Sequence, residues 1–243
     1  MSSIKNLLVN SKYRNTGTTS NFSYQLLVAI INPKKVALEN IQIFNTAYTI
    51  NNNNNKLYWT DSASVAHVST LTNGNYSATS LCEHVETILN ADNTGANTYT
   101  VTFSIITGKI TITNSASNFS LTFYTNTLNS CAYVLGFNDE NKTSALTYTG
   151  DNVVNLNTKY YTVHTDLLNT NNTHQSDQIN SIIAIVPNNV NFGDCVCYSP
   201  NLAKSFELNQ TEISSIQFYI KDDRKNIVDL NGVDWSMNLV VNC

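Results

Sequence analysis

Ile213-Ser214-Ser215-Ile216-Gln217-Phe218-Tyr219-Ile220-Lys221 carries the clearest strand signal in the chain. A period of two sets Ile216, Phe218 and Ile220 on one face and Gln217, Tyr219 and Lys221 on the other, as in a strand with one buried side. The alternation returns at the C-terminus in Trp235, Met237, Leu239 and Val241, and Val36 to Phe44 reads as a strand pair or one long bent strand. Phe22 to Ile31, Lys56 to Thr60, Lys159 to Leu168, Asn180 to Val186 and Lys204 to Leu208 are further runs, separated by stretches bearing Asn, Pro or Gly. Eight strands, many of them short, predict an all-β sandwich.

Composition agrees with that class. The chain has 243 residues, enough for one large β domain or two small ones, and 42% of them are hydrophobic, so a substantial core is expected. Only 12% are charged, and the polarity comes from 39 Asn and 29 Thr, residues that suit turns and strands better than long helices. Part of the Asn excess fits an A+T-rich coding bias, since Pro and Gly number only 3 and 8. With a net charge of −4 and no basic run longer than Lys34-Lys35, nothing could neutralise a row of phosphates, so nucleic acid is not an expected partner. No apolar stretch approaches the roughly 18 residues of a membrane span, and Met1 to Asn6 lacks the apolar core of a signal peptide. Cys82, Cys131, Cys195, Cys197 and Cys243 are odd in number and irregular in spacing, which predicts free thiols in a reducing compartment.

The middle of the chain has a different texture. Ser77 to Asn90 carries Leu81, Val85, Ile88 and Leu89 at helical spacing, with Ser77 as N-cap and Tyr76 placed to staple onto Leu81. Tyr99 to Ile105 and Lys109 to Thr113 flank Ile106-Thr107-Gly108 as a hairpin, and Phe119 to Tyr124 is expected to add a third strand. Because these elements are contiguous, residues 62–150 are expected to pack on themselves as an inserted subdomain with one helix and a β-hairpin. Residues 1–61 and 151–243 would then form the sandwich. Asn51 to Asn55 and Asn169 to Ser176 read as exposed low-complexity loops.

The sequence pattern marks no catalytic, cofactor-binding or metal-binding residue. No phosphate-binding Gly loop, nucleophile elbow, His-Glu-x-x-His helix or Cys-x-x-Cys ribbon is present. His164-Thr165-Asp166 sets two metal-capable side chains on one strand face, yet a polar strand face explains it more simply. Cys195-Val196-Cys197 places two thiols on the same side of a strand, suited in principle to a soft metal or redox role but read as two small half-buried hydrophobes. Cys82 and His84 lie two apart on a helix and share no face. His67 and His174 have polar surroundings without fixed neighbours, and Asp222-Asp223-Arg224-Lys225 reads as a solvated turn. Trp59 beside Tyr58 offers a stacking platform for sugar, against the commoner role of core packing.

Leu7-Leu8-Val9-Asn10-Ser11-Lys12-Tyr13-Arg14-Asn15, followed by Asn21-Phe22-Ser23-Tyr24-Gln25-Leu26, resembles the start of single jelly-roll minor capsid proteins. These are the pentons of virophages, polinton-like viruses and some large DNA viruses, in which a strand ends in Asp-Ser-Arg-x-Arg-Asn before a Phe-x-x-x-Leu strand. Asn10 stands here in place of the Asp and Lys12 in place of the first Arg. The likeness continues through Val36 to Asn45, Gly74-Asn75-Tyr76-Ser77 before the helix, Thr100 to Thr113, Leu135-Gly136-Phe137 and Trp235 to Leu239.

The resemblance implies an antiparallel jelly-roll sandwich in a structural, non-enzymatic virion protein without cofactor, assembled in the host cell cytoplasm. It further implies a homopentamer that closes the fivefold vertices of an icosahedral capsid beside double jelly-roll major capsid proteins, with the insertion pointing outward or capping the vertex. Two rival readings stand beside it. A viral attachment or sugar-binding β-sandwich suits the neutral polar surface and the Tyr and Trp content; an enzyme would require His164 and Asp166 to converge with a distant His or carboxylate.

Overall fold

The computed structural model describes residues 3–126, 128–168 and 181–243. Along the chain run β1 (Ile4–Asn10), β2 (Thr16–Thr18), β3 (Asn21–Ile31), β4 (Lys35–Phe44), β5 (Lys56–Thr60) and β6 (Ala66–Thr70). The helix α1 (Ala78–Asp92) follows, then β7 (Tyr99–Ser104), β8 (Lys109–Asn114), β9 (Phe119–Thr122), β10 (Asn141–Ala145) and β11 (Thr147–Thr149). The last group is β12 (Tyr160–Thr165), β13 (Ile182–Pro187), β14 (Cys195–Tyr198), β15 (Ser205–Glu207), β16 (Glu212–Lys221) and β17 (Ser236–Asn242). They make two compact units, one of Met1–Ala47 with Thr158–Cys243 and the other of Tyr48–Asn157.

The first unit is a sandwich of two antiparallel sheets. One has the order β1-β17-β4-β14, with β15 also on β4, and the other β13-β12-β16-β3-β2. Among its eight main strands taken in chain order, the first, eighth, third and sixth thus form one sheet and the fifth, fourth, seventh and second the other. That is the two-Greek-key order of a jelly roll. The period-two pattern explains why both sheets close on one core. Ile216, Phe218 and Ile220 of β16 turn inward with Phe22 and Tyr161, and Ile41, Ile43, Met237, Leu239 and Val241 meet them from the other sheet. Phe22 lies 5.8 Å from Phe218 and 5.7 Å from Trp235, centroid to centroid. Val36 to Phe44 is one strand, and its register with β17 shifts between Asn238 and Leu239, a bulge that bends the pair.

The second unit has its own core. The sheet β10-β9-β5-β6 and the sheet β11-β8-β7 enclose Trp59, Tyr99, Phe119, Leu121 and Tyr148, with Leu81, Val85 and Leu89 supplied by α1. Ser77 caps the helix, its hydroxyl accepting from Ser80 N–H while the Ser80 hydroxyl accepts from Ser77 N–H, a reciprocal capping box. Tyr76 stacks on His84 at 5.4 Å. Gly108 closes the β7–β8 hairpin at φ +67°, and its N–H donates to the Ser104 carbonyl.

Several expectations need correction. Lys56 to Thr60, taken with the sandwich on its alternation, belongs to the second unit, where it pairs with Ala66–Thr70 and with Ser120 and Leu121. The units accordingly divide at 47/48 and 157/158, and not at 61/62 and 150/151. Alternation reports that one face is buried but carries no address for the partner. Phe119 to Thr122 joins β5 and β10, and the third strand beside the hairpin is Thr147–Thr149. Asn51 to Asn55 is no exposed loop throughout, because Asn54 and Asn55 are buried. Asn54 accepts from Asn51 N–H at 2.8 Å and donates to the Thr49 carbonyl at 2.9 Å, so the amide side chains satisfy the turn's own backbone. The expected loop Asn169 to Ser176, with His174, lies outside the described residues.

Candidate functional site

Among the described residues, each one that the sequence singled out for chemistry has a structural engagement. His164 is buried on β12, with Nδ1 2.8 Å from the Ser181 hydroxyl and Nε2 2.9 Å from that of Thr162. Its ring stacks on Tyr219 at 4.5 Å, and the Ser181 hydroxyl is 3.0 Å from that of Tyr219. Burial, seconded by the Lys221 charge, pushes the imidazole down to about 4, so it is neutral at physiological pH. Asp166 lies past the strand end in a 3-10 turn and accepts from Gln217 N–H at 3.0 Å, its pKa raised by burial. The two thus serve different contacts. Among the described residues no three His, Cys, Asp or Glu side chains converge as a metal-binding group.

Trp59 is fully buried, with its indole N–H donating to Ser69, and so offers no platform to a sugar ring. His84 accepts from Thr72 N–H at 2.9 Å, whereas Cys82 faces the core with its thiol pushed up to about 11 by burial. Asp222 accepts from the N–H groups of Arg224 and Asn226, forming the turn its charge cluster implied. Cys195 and Cys197 do share one side of β14, with their sulfurs 3.6 Å apart.

Sequence inspection missed a polar network in the second unit. Asp61 accepts from the N–H groups of Ala63 and Val65 at 2.9 and 2.8 Å, from Thr94 N–H at 3.2 Å, and from the Thr94 hydroxyl. His67 approaches the same carboxylate at 2.9 Å and stacks on Trp59. Only Asp61-x-Ala63-x-Val65, an acceptor before a turn, was visible beforehand.

The Asn10 to Arg14 segment proves to be a corner clasp. Ser11 donates its hydroxyl to Asp234 at 2.8 Å and accepts from Trp235 N–H at 3.0 Å, joining the end of β1 to the start of β17. Arg14 reaches the Ser11 carbonyl at 2.9 Å and Asp234 at 3.4 Å. Asn10 accepts from Lys12 N–H and caps the 3-10 turn Ser11–Tyr13. The ion pair of this motif is therefore Arg14 with Asp234, and neither Asn10 nor Lys12 is required for it.

What the first unit offers a partner is surface. The register of β3 against β16 shifts from Ile30 opposite Ile213 to Gln25 opposite Ser215, so residues 26–29 form a bulge in which Leu26 packs on the core while Leu27 and Val28 are exposed. At the opposite edge of that sheet, a groove of about 260 Å³ lies beside β13, lined by Ile183, Ile185, Tyr198, Leu202 and Phe206. Isolated exposed apolar residues are ordinary; groups at sheet edges mark places where another surface can pack. No helix is long and apolar enough to cross a membrane among the described residues.

No family model matches the chain, and no curated protein matches it. Among solved structures it is similar to the crystal structure of mavirus penton protein, with a TM-score of 0.50 and 9% identity over 99% of each chain. At that identity the likeness speaks for the fold, and it extends over both units. The chain has an all-β jelly-roll architecture with a helix-bearing insertion and shares its fold with mavirus penton protein.

Proposed function

We propose that this chain is a penton, a structural minor capsid protein that closes the fivefold vertices of an icosahedral shell as a homopentamer. In this reading it is not an enzyme. The first unit is the shell-forming sandwich, and double jelly-roll major capsid proteins are the lateral neighbours. The observation that carries the reading is the full-length likeness to mavirus penton protein, together with the jelly-roll strand order. Engagement of His164, Asp166 and Trp59 in packing and hydrogen bonds supports a structural role. The burial of Trp59 withdraws the stacking platform beside Tyr58 that a sugar-binding module would have used.

Cyclic closure uses one heterologous contact repeated around an axis, and that needs two different surfaces on one protomer. With 12% charged residues, such contacts rest on neutral polar and apolar groups, so the ring depends only weakly on salt. Native mass spectrometry across protein and salt concentration, paired with a virion reconstruction, tests this. Pentamers that persist at high salt and density on the fivefold axes are expected; a stable dimer or trimer, or density elsewhere, overturns it.

A further inference from the structure

Cys195 and Cys197 stand on β14, the outermost strand of the first sheet. Val196 between them turns into the core and is buried, so the two-residue period aims both thiols at the outer face. Cys197 is exposed, Cys195 is half-buried, neither is in a disulfide, and the sulfurs are 3.6 Å apart. The strand is held in register by β4, with Phe44 opposite Cys195 and Gln42 opposite Cys197.

Two chemistries could use such a pair, and geometry separates them. Strand residues two apart have Cα atoms about 6.4 to 6.8 Å from each other, at the upper limit of what a disulfide spans. Pairing to β4 at both positions resists the shortening that a disulfide would need. A tetrahedral ion with metal–sulfur bonds of about 2.3 Å holds two thiolates roughly 3.8 Å apart, close to the separation already present.

We propose that Cys195 and Cys197 form a bidentate dithiolate site for a soft, thiophilic divalent ion of the zinc and cadmium class. Binding replaces two S–H bonds by two sulfur–metal bonds and releases two protons, with no change of oxidation state. Two coordination positions remain on the solvent side, where water or donors from another molecule complete the set. This assignment revises the reading of the pair as two small hydrophobes, and it stands whether or not the chain is a penton.

The test is titration of the fully reduced chain with cadmium, following thiolate-to-cadmium charge-transfer absorption in the ultraviolet and counting bound ions by native mass spectrometry. One ion per chain is expected, displaced by excess zinc. Cys197→Ser, a near-isosteric change at an exposed position, should abolish the band while leaving circular dichroism and the melting temperature unchanged; Cys195→Ser should also abolish it. Cys243→Ser should retain it. The proposal is overturned by absence of the band in the unaltered chain, by its persistence in Cys197→Ser, or by its loss in Cys243→Ser.

Discussion

His67 and Asp61 meet at 2.9 Å between Nε2 and a carboxylate oxygen in the second unit, with the His67 imidazole lying flat against Trp59 at 4.5 Å. The carboxylate is wholly buried, yet it is matched by donors from four residues, Ala63, Val65, His67 and Thr94. Burial by itself raises the pKa of Asp61; the Thr94, His67 and backbone hydrogen bonds outweigh it and hold the carboxyl well below its ordinary range.

Asp61→Ala should therefore destabilise the second unit by about 1 to 3 kcal/mol, since it removes a buried acceptor that ties together the part-buried donors of Ala63, Val65, His67 and Thr94. A depressed carboxyl pKa contributes stability that is present above about pH 4 and is lost as pH falls below it. Thermal melts between pH 2 and 6 should accordingly show a steeper acid loss in the unaltered protein than in Asp61→Asn.

His164 acts in a higher window. Its folded pKa of about 4 lies below the ordinary 6.5, so the unfolded chain binds the proton first and stability declines as pH falls from about 6.5 towards 4. His164→Gln should flatten that part of the stability profile. The ring's own titration is observable by NMR as a midpoint near 4, whereas a midpoint near 6.5 would show the imidazole to be solvated.

Ser11→Ala should cost about 1 to 3 kcal/mol, because Trp235 N–H loses its hydroxyl acceptor inside the sandwich. Arg14→Ala removes an ion pair whose two side chains are each about one-third exposed, and should cost under about 1 kcal/mol. Denaturant unfolding of both variants distinguishes a clasp held by the serine from one held by charge.

Leu27→Ser with Val28→Ser should change monomer stability by no more than about 0.5 kcal/mol per site, since both side chains are exposed on the β3 bulge. If the penton reading holds, the same variant should form fewer pentamers in native mass spectrometry at equal concentration.

Local signals make the helix and most of the longer strands legible in the sequence, whereas the short strands Ala66–Thr70, Asn141–Ala145 and Thr147–Thr149 carry no comparable pattern. The period-two face of Ile216, Phe218 and Ile220 and the helical face of Leu81, Val85 and Leu89 record which side of each element is buried. The turn at Asp222 and the capping Ser77 are equally local chemistry. Strand pairing, by contrast, is a property of the assembled fold. Lys56 to Thr60 alternates as a sandwich strand would but joins the second unit, and Thr147–Thr149, three residues long, takes the hairpin edge assigned to Phe119 onward.

The same distinction governs the candidate sites. That Cys195 and Cys197 share a face follows from their spacing, but their 3.6 Å separation and outward aim depend on β14 lying against β4 with Val196 in the core. Asp61 meets Thr94 from 33 residues away, and Ser11 meets Asp234 and Trp235 from more than 220. Alternation encodes burial residue by residue, whereas hydrogen bonds across such distances form only when the strands have been brought together. Sequence therefore specified the faces, and packing chose their partners.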